Sequence, residues 1–165
     1  MLYRDRESRL QKPRTASLQF SVSLFFALFL ISGCTTINVK KIDRASTPIT
    51  LLCIEENPKA EVADLLSFLE HSFQSYGIRT AVYRQNSVPG TCEYSLWYNA
   101  TAGWDLGYYL NFAEIRVRRG AETVATATYH HGGGFGFNKW QSTETKLTPV
   151  VEELLADFRS GAKPI

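Results

Sequence analysis

The chain has 165 residues, 44% hydrophobic, 13% aromatic and 21% charged, with 18 Lys and Arg against 16 Asp and Glu. Such a composition suits one folded domain with an appendage and excludes a disordered, collagen-like or disulfide-dense protein. Five of the basic and two of the acidic residues fall in the first 33 positions. The remaining 132 residues therefore carry 13 basic and 14 acidic side chains, with no global positive field to hold nucleic acid.

The appendage comes first. Arg4, Arg6, Arg9, Lys12 and Arg14 precede an apolar stretch from Leu18 to Ile31, and small residues follow it. Basic, then apolar, then small is the layout of a secretory signal peptide. The 14 apolar-stretch residues fall short of the roughly 20 that a membrane-spanning helix needs. The segment Leu30-Ile31-Ser32-Gly33-Cys34 resembles the lipobox of bacterial lipoproteins. The resemblance implies that residues 1–33 are removed, that the Cys34 thiol takes a diacylglyceryl group, and that its freed amine takes a further acyl chain such as palmitate. Two or more chains hold a protein stably on a bilayer, where one gives only reversible binding. Thr35, rather than Asp, follows the cysteine; in Gram-negative lipoproteins that implies the periplasmic face of the outer membrane.

Residues 34–48, ending at Pro48, lack core-forming periodicity and read as the lipidated cysteine and a tether. A single domain is expected over 49–160, with a tail at 161–165. Ile49 to Glu55 reads as its first strand. Asn57-Pro58 offers an N-cap followed by proline at the first helical position, and Val62, Leu65, Leu66, Leu69, Phe73 and Tyr76 recur at helical spacing up to Gly77. These signals predict a helix over 58–76. Ile78 to Arg84 and Cys92 to Ala100 follow as strands, the second with Tyr94, Leu96 and Tyr98 on one face. Gly103 to Gly107 interrupts, and then a hairpin of 110–118 and 123–130 turns at Arg119 to Glu122. In its first arm Ala113, Ile115 and Val117 face the core. Leu147, Val151, Leu154, Leu155 and Phe158 mark a last helix, with Ser142 or Thr148 as cap and a secure part over 149–159, because Pro149 suits only a first turn. The order predicts an α+β fold: a mainly antiparallel sheet of about five strands with two helices on one face.

Cys53 and Cys92 both lie on or beside strands, with neither a Cys-x-x-Cys motif nor an adjoining His or Lys. In an exported chain they read as a structural disulfide rather than a reactive thiol pair.

The segments Cys53 to Pro58 and Trp140 to Thr145, with Pro149 and Glu152-Glu153-Leu154-Leu155 behind, resemble parts of small proteobacterial lipoproteins. Their architecture is similar to the amino-terminal domain of TolB and to CsgG-like periplasmic domains. That likeness implies work through protein contacts and transfers no catalytic residue.

Chemistry-bearing patterns are few. No P-loop, dinucleotide fingerprint or Gly-x-Ser-x-Gly elbow occurs, and Glu55-Glu56 and Glu152-Glu153 are sequence neighbours rather than a convergent carboxylate pair. Neither an enzyme nor a bound cofactor or metal is expected. His130-His131 ahead of Gly132-Gly133-Gly134 offers possible ligand-binding imidazoles, although neighbours on a strand point to opposite faces. Trp104 and Tyr108, in and beside a glycine-flanked loop, are candidate partner-binding residues. The expected protein is a lipid-anchored outer-membrane lipoprotein whose periplasmic domain binds or helps assemble another envelope protein. The alternative is a small-ligand or metal-binding lipoprotein using His130 and His131.

Overall fold

A computed structural model describes residues 35–85, 87–133 and 137–161. The leader, Cys34, the loop centre at 134–136 and the tail beyond 161 lie outside the described residues. Six strands form one sheet: β1 (Thr35–Lys40), β2 (Leu51–Glu56), β3 (Arg79–Arg84), β4 (Tyr94–Trp104), β5 (Tyr108–Arg119) and β6 (Glu122–His131). Two α-helices accompany them, α1 (Leu65–Ser75) and α2 (Thr143–Leu154). The strand order is β1-β6-β5-β4-β2-β3.

The sheet is mixed. β4, β5, β6 and β1 pair antiparallel, whereas β2 runs parallel to both β3 and β4. The parallel β2–β3 pair follows from α1, which lies between them in sequence and returns the chain to the starting end; β4 lies parallel to β2 after a second return, without a helix. Leu52, Cys53 and Ile54 of β2 are all buried, as in a strand covered on both faces. Both helices pack on one side, where Leu65, Leu69 and Phe73 of α1 and Leu147, Val150, Val151 and Leu154 of α2 share a core with Leu96, Tyr98, Ile115, Val117, Ala127 and Tyr129. At β2 the Cys53–Cys92 bridge lies on the opposite face, whereas over β4 and β5 that face stays more open and polar. There the Arg116 guanidinium lies 5.1 Å over the Trp97 ring and bonds Glu114.

The sixth strand is one the sequence did not announce. Thr35–Lys40, expected to be tether, pairs with β6 from Thr35↔His131 to Lys40↔Thr126. It is an edge strand whose side chains are all exposed except half-buried Val39, which packs on the core, so the backbone ladder fixes it with little help from apolar burial. The chain then buries Ile42, whose N–H donates to the Leu154 carbonyl at 2.9 Å. The domain thus begins well before residue 49.

Both helices have boundaries unlike those expected. α1 starts at Leu65 because the preceding segment is bound to β4. The Asn57 amide donates to the Tyr98 carbonyl, and the Glu61 carboxylate accepts from the Ala102 N–H at 2.8 Å. Gly77, at φ 78°, ends the helix by a left-handed turn that other residues resist. α2 begins at Thr143, capped by Ser142, whose hydroxyl accepts from the Thr145 N–H. Pro149 consequently sits inside the helix, exposed, where it removes one backbone bond. A short 3-10 segment, Ala156–Gly161, follows.

Cys53 and Cys92 form a disulfide, with Cα atoms 5.9 Å apart. It fastens the segment ahead of β4 to the buried centre of β2.

Candidate functional site

β4 and β5 extend beyond the rest of the sheet as a hairpin. A register shift between Thr101 and Ala102 leaves one extra residue in β5, and such bulges bend a ribbon and re-aim its end. Beyond the bulge, Ala102 pairs with Leu110, Gly103 with Tyr109 and Trp104 with Tyr108. The turn is Asp105-Leu106-Gly107, closed by the Asp105 N–H donating to the Gly107 carbonyl. Gly103 is required by contact: a Cβ there would lie 2.3 Å from the Tyr109 ring.

A second element props the turn from below. In the 3-10 segment Phe137–Trp140, the Lys139 ammonium bonds the Asp105 carboxylate at 2.5 Å, and the Trp140 indole N–H donates to the Asp105 carbonyl at 2.9 Å. Trp140 also packs against Gly107. The turn is therefore held at both ends of Asp105, and its one carboxylate is paired.

Four large apolar side chains stand out from this frame. Trp104 is 69% exposed, Leu106 88%, Tyr108 80% and Trp140 43%. Leu106 also holds φ at 56°, a conformation that favours glycine or asparagine. An exposed leucine in a strained backbone position is unfavourable in water on both counts, and such outliers concentrate at functional sites.

Beneath the hairpin lies a buried cluster of basic side chains. Tyr109 has the Lys139 ammonium 4.5 Å and the Lys146 ammonium 5.6 Å from its ring centre, and meets His131 edge-on at 5.4 Å. Lys146 is buried and donates to the Leu110 and Lys139 carbonyls. Burial, and then the nearby Lys139 charge, lower its pKa. His131 is 3% exposed, and neither ring nitrogen has a hydrogen-bond partner. Burial first, then Lys146, Lys139 and His130, push its pKa below the ordinary 6.5. The ring is accordingly neutral at pH 7.

The residues singled out from the sequence separate into groups. Trp104 and Tyr108 come together as opposed residues at the hairpin end. His130 and His131 do not converge: His130 is exposed, facing Phe112 edge-on, while His131 is buried. Among the described residues no group of three His, Cys, Asp or Glu side chains is placed to hold a metal. The sequence pattern does not mark Lys139, Lys146 and Trp140 as parts of this region. Two lysines at polar positions give no sign of burial, and only the tertiary contact with Tyr109 reveals them.

The fold defines a class, an α+β domain with a mixed six-stranded sheet and both helices on one face. No family model matches the chain, and no curated protein matches it. Solved structures do: the PelC dodecamer from Paraburkholderia phytofirmans aligns over 79% of this chain and 100% of its own, with a TM-score of 0.52 and 12% identity. A variant of that dodecamer aligns over 78% and 99%, again at 0.52 and 12%. At this identity the likeness is one of fold.

Proposed function

We propose that the protein is a lipid-anchored lipoprotein of the outer membrane, facing the periplasm, whose domain works by contact as an interaction or assembly module rather than by catalysis. The observation that carries this reading is the hairpin end, where Trp104 and Tyr108 stand exposed on a braced frame. Contiguous exposed apolar side chains mark a surface that meets something. The lipobox-like run before Cys34 supports the anchor. The sequence resemblance to proteins of TolB-like and CsgG-like architecture and the dodecameric state of the PelC structures of similar fold support assembly as the kind of work done.

The test begins with processing. The native chain is expected in the membrane fraction with acyl mass on Cys34, and Cys34→Ala as an unprocessed or soluble product. A mature-sized Cys34→Ala protein that still fractionates with membranes overturns the anchor. In-cell photocrosslinking from position 104 then identifies what the hairpin meets.

A second reading, a small-ligand or metal-binding lipoprotein using His130 and His131, draws on the unpartnered ring nitrogens of His131. Stoichiometric transition-metal binding by calorimetry, lost in His131→Ala, would place this reading first.

A further inference from the structure

The strand register puts the anchor and the exposed hairpin at one end of the domain. Thr35 opens β1 opposite His131 of β6. One residue earlier in β6, His130 pairs with Phe112 of β5, so the level of Thr35 corresponds to Asn111. Tyr108 lies three residues further out in the same direction, about 10 Å at roughly 3.3 Å per residue. Cys34 lies outside the described residues, but its peptide bond keeps its Cα about 3.8 Å from that of Thr35. Two inter-strand spacings, about 10 Å, separate β1 from β5.

Because β1 starts at Thr35, no slack chain intervenes between Cys34 and the sheet. Thr35, the residue bonded to Cys34, and the turn at Asp105–Gly107 therefore lie at the same end of the sheet, with the turn projecting several ångströms beyond Thr35.

We infer that the β4–β5 hairpin end is a membrane-contact element, with Leu106 entering the bilayer that holds the acyl chains and Trp104 and Tyr108 seated at its interface. This inference rests on the reading of Cys34 as lipidated and names the partner of the exposed surface as lipid rather than protein. The side chains have the required character. Trp and Tyr favour the water–hydrocarbon boundary, where an apolar ring and a polar edge are both satisfied. Leu106 at the outermost point has no polar atom in its side chain. Asp105, the one ionisable residue of the turn, is paired with Lys139, and Trp140, also exposed, widens the apolar surface. The reach also fits, since interfacial elements bury apolar groups about 5–10 Å into the headgroup and acyl boundary.

The test uses the full chain, expressed so that it is processed, carrying Leu106→Cys labelled with an environment-sensitive fluorophore. It is reconstituted into phosphatidylethanolamine–phosphatidylglycerol vesicles. A Glu122→Cys label at the opposite end of the sheet is the control, Tyr108→Cys is a second reporter, and thermal melts check each fold. The expected result is a blue-shifted label at 106 and 108, quenched by doxyl lipids and several-fold less by aqueous iodide than the label at 122. If mass spectrometry shows acyl groups on Cys34 and iodide quenches 106, 108 and 122 alike, the membrane-contact inference is overturned while the anchor stands. Crosslinking from 106 in cells to a protein, with no lipid adduct, overturns it too. Absence of acyl mass removes the anchor reading and the inference with it, and the mass spectrum shows which failed.

Discussion

Replacing His131 with phenylalanine should make the protein more stable at neutral pH and less sensitive to acid. The imidazole is 3% exposed and both nitrogens lack partners; leaving a buried polar group unsatisfied costs about 1–3 kcal/mol. Phenylalanine keeps the edge-on contact with Tyr109 but is slightly larger, and overpacking takes back part of the gain. A net increase of about 1 kcal/mol follows. The pH dependence has a definite sign. Burial first, and then the charges of Lys146, Lys139 and His130, hold the folded pKa of His131 below 6.5. The unfolded chain thus takes up a proton before the folded one does. This group leaves stability unchanged above about pH 6.5 and lowers it as pH falls from there toward the folded pKa, by no more than about 1.4 kcal/mol per unit. Urea unfolding of both proteins from about pH 8 to about pH 5 measures both effects. A Phe variant less stable than the native protein at pH 7, or one that keeps the full acid dependence, would refute the reasoning.

Three other outcomes follow from the same geometry. Cys53→Ser with Cys92→Ser should lower unfolding free energy by about 4 kcal/mol in the chain-entropy account of a bridge across a sequence separation of 39; a loss below about 1 kcal/mol in urea would contradict that account. Trp104→Ala should cost only about 1 kcal/mol, since its ring is 69% exposed and a fully buried Trp costs about 3–5. Phe73→Ala, at a side chain fully buried, should cost about 3–5 kcal/mol, and thermal melts giving the two variants equal losses would reassign Trp104 to the core. Photocrosslinking from position 108 in cells should capture an envelope component, lipid included, and Trp104→Ala, at the residue paired with it, should reduce that capture; unchanged capture would remove Trp104 from the contact surface.

How far the sequence could be read depended on where each element found its determinants. The alternation of Tyr94, Leu96 and Tyr98, and of Ala113, Ile115 and Val117, translated directly into buried faces of β4 and β5, because each of those strands has one face on the helices and one open. The cysteine pair was legible for a similar reason, as one residue on β2 and one just ahead of neighbouring β4, without the surroundings of a reactive thiol. β1 was not, since an edge strand held by its backbone needs no apolar period. The start of α1 lies later than its local signals indicate: Asn57 and Pro58 carry every sign of a helix beginning, while the Tyr98 carbonyl and the Ala102 N–H, some 41 residues away, engage that segment instead. In α2, proline at 149 pointed to a first turn, but the Ser142 hydroxyl had already capped the helix. The hairpin end was partly visible in Trp104 and Tyr108. Its brace was hidden, because nothing local ties Lys139 and Trp140 to a turn some 35 residues earlier.

The position of β1 also decides how the domain bears load. A pull on the amino terminus directed outward along the strand acts in shear, so the six register pairs from Thr35↔His131 to Lys40↔Thr126 resist together. A sideways pull instead opens that ladder one pair at a time, starting at Thr35. With almost no side-chain burial to reinforce it, β1 makes a joint that is stiff in one direction and peels in the other. The domain can therefore hold against traction along its long strands, yet yield to a transverse force by releasing six residues of chain while its core stays folded.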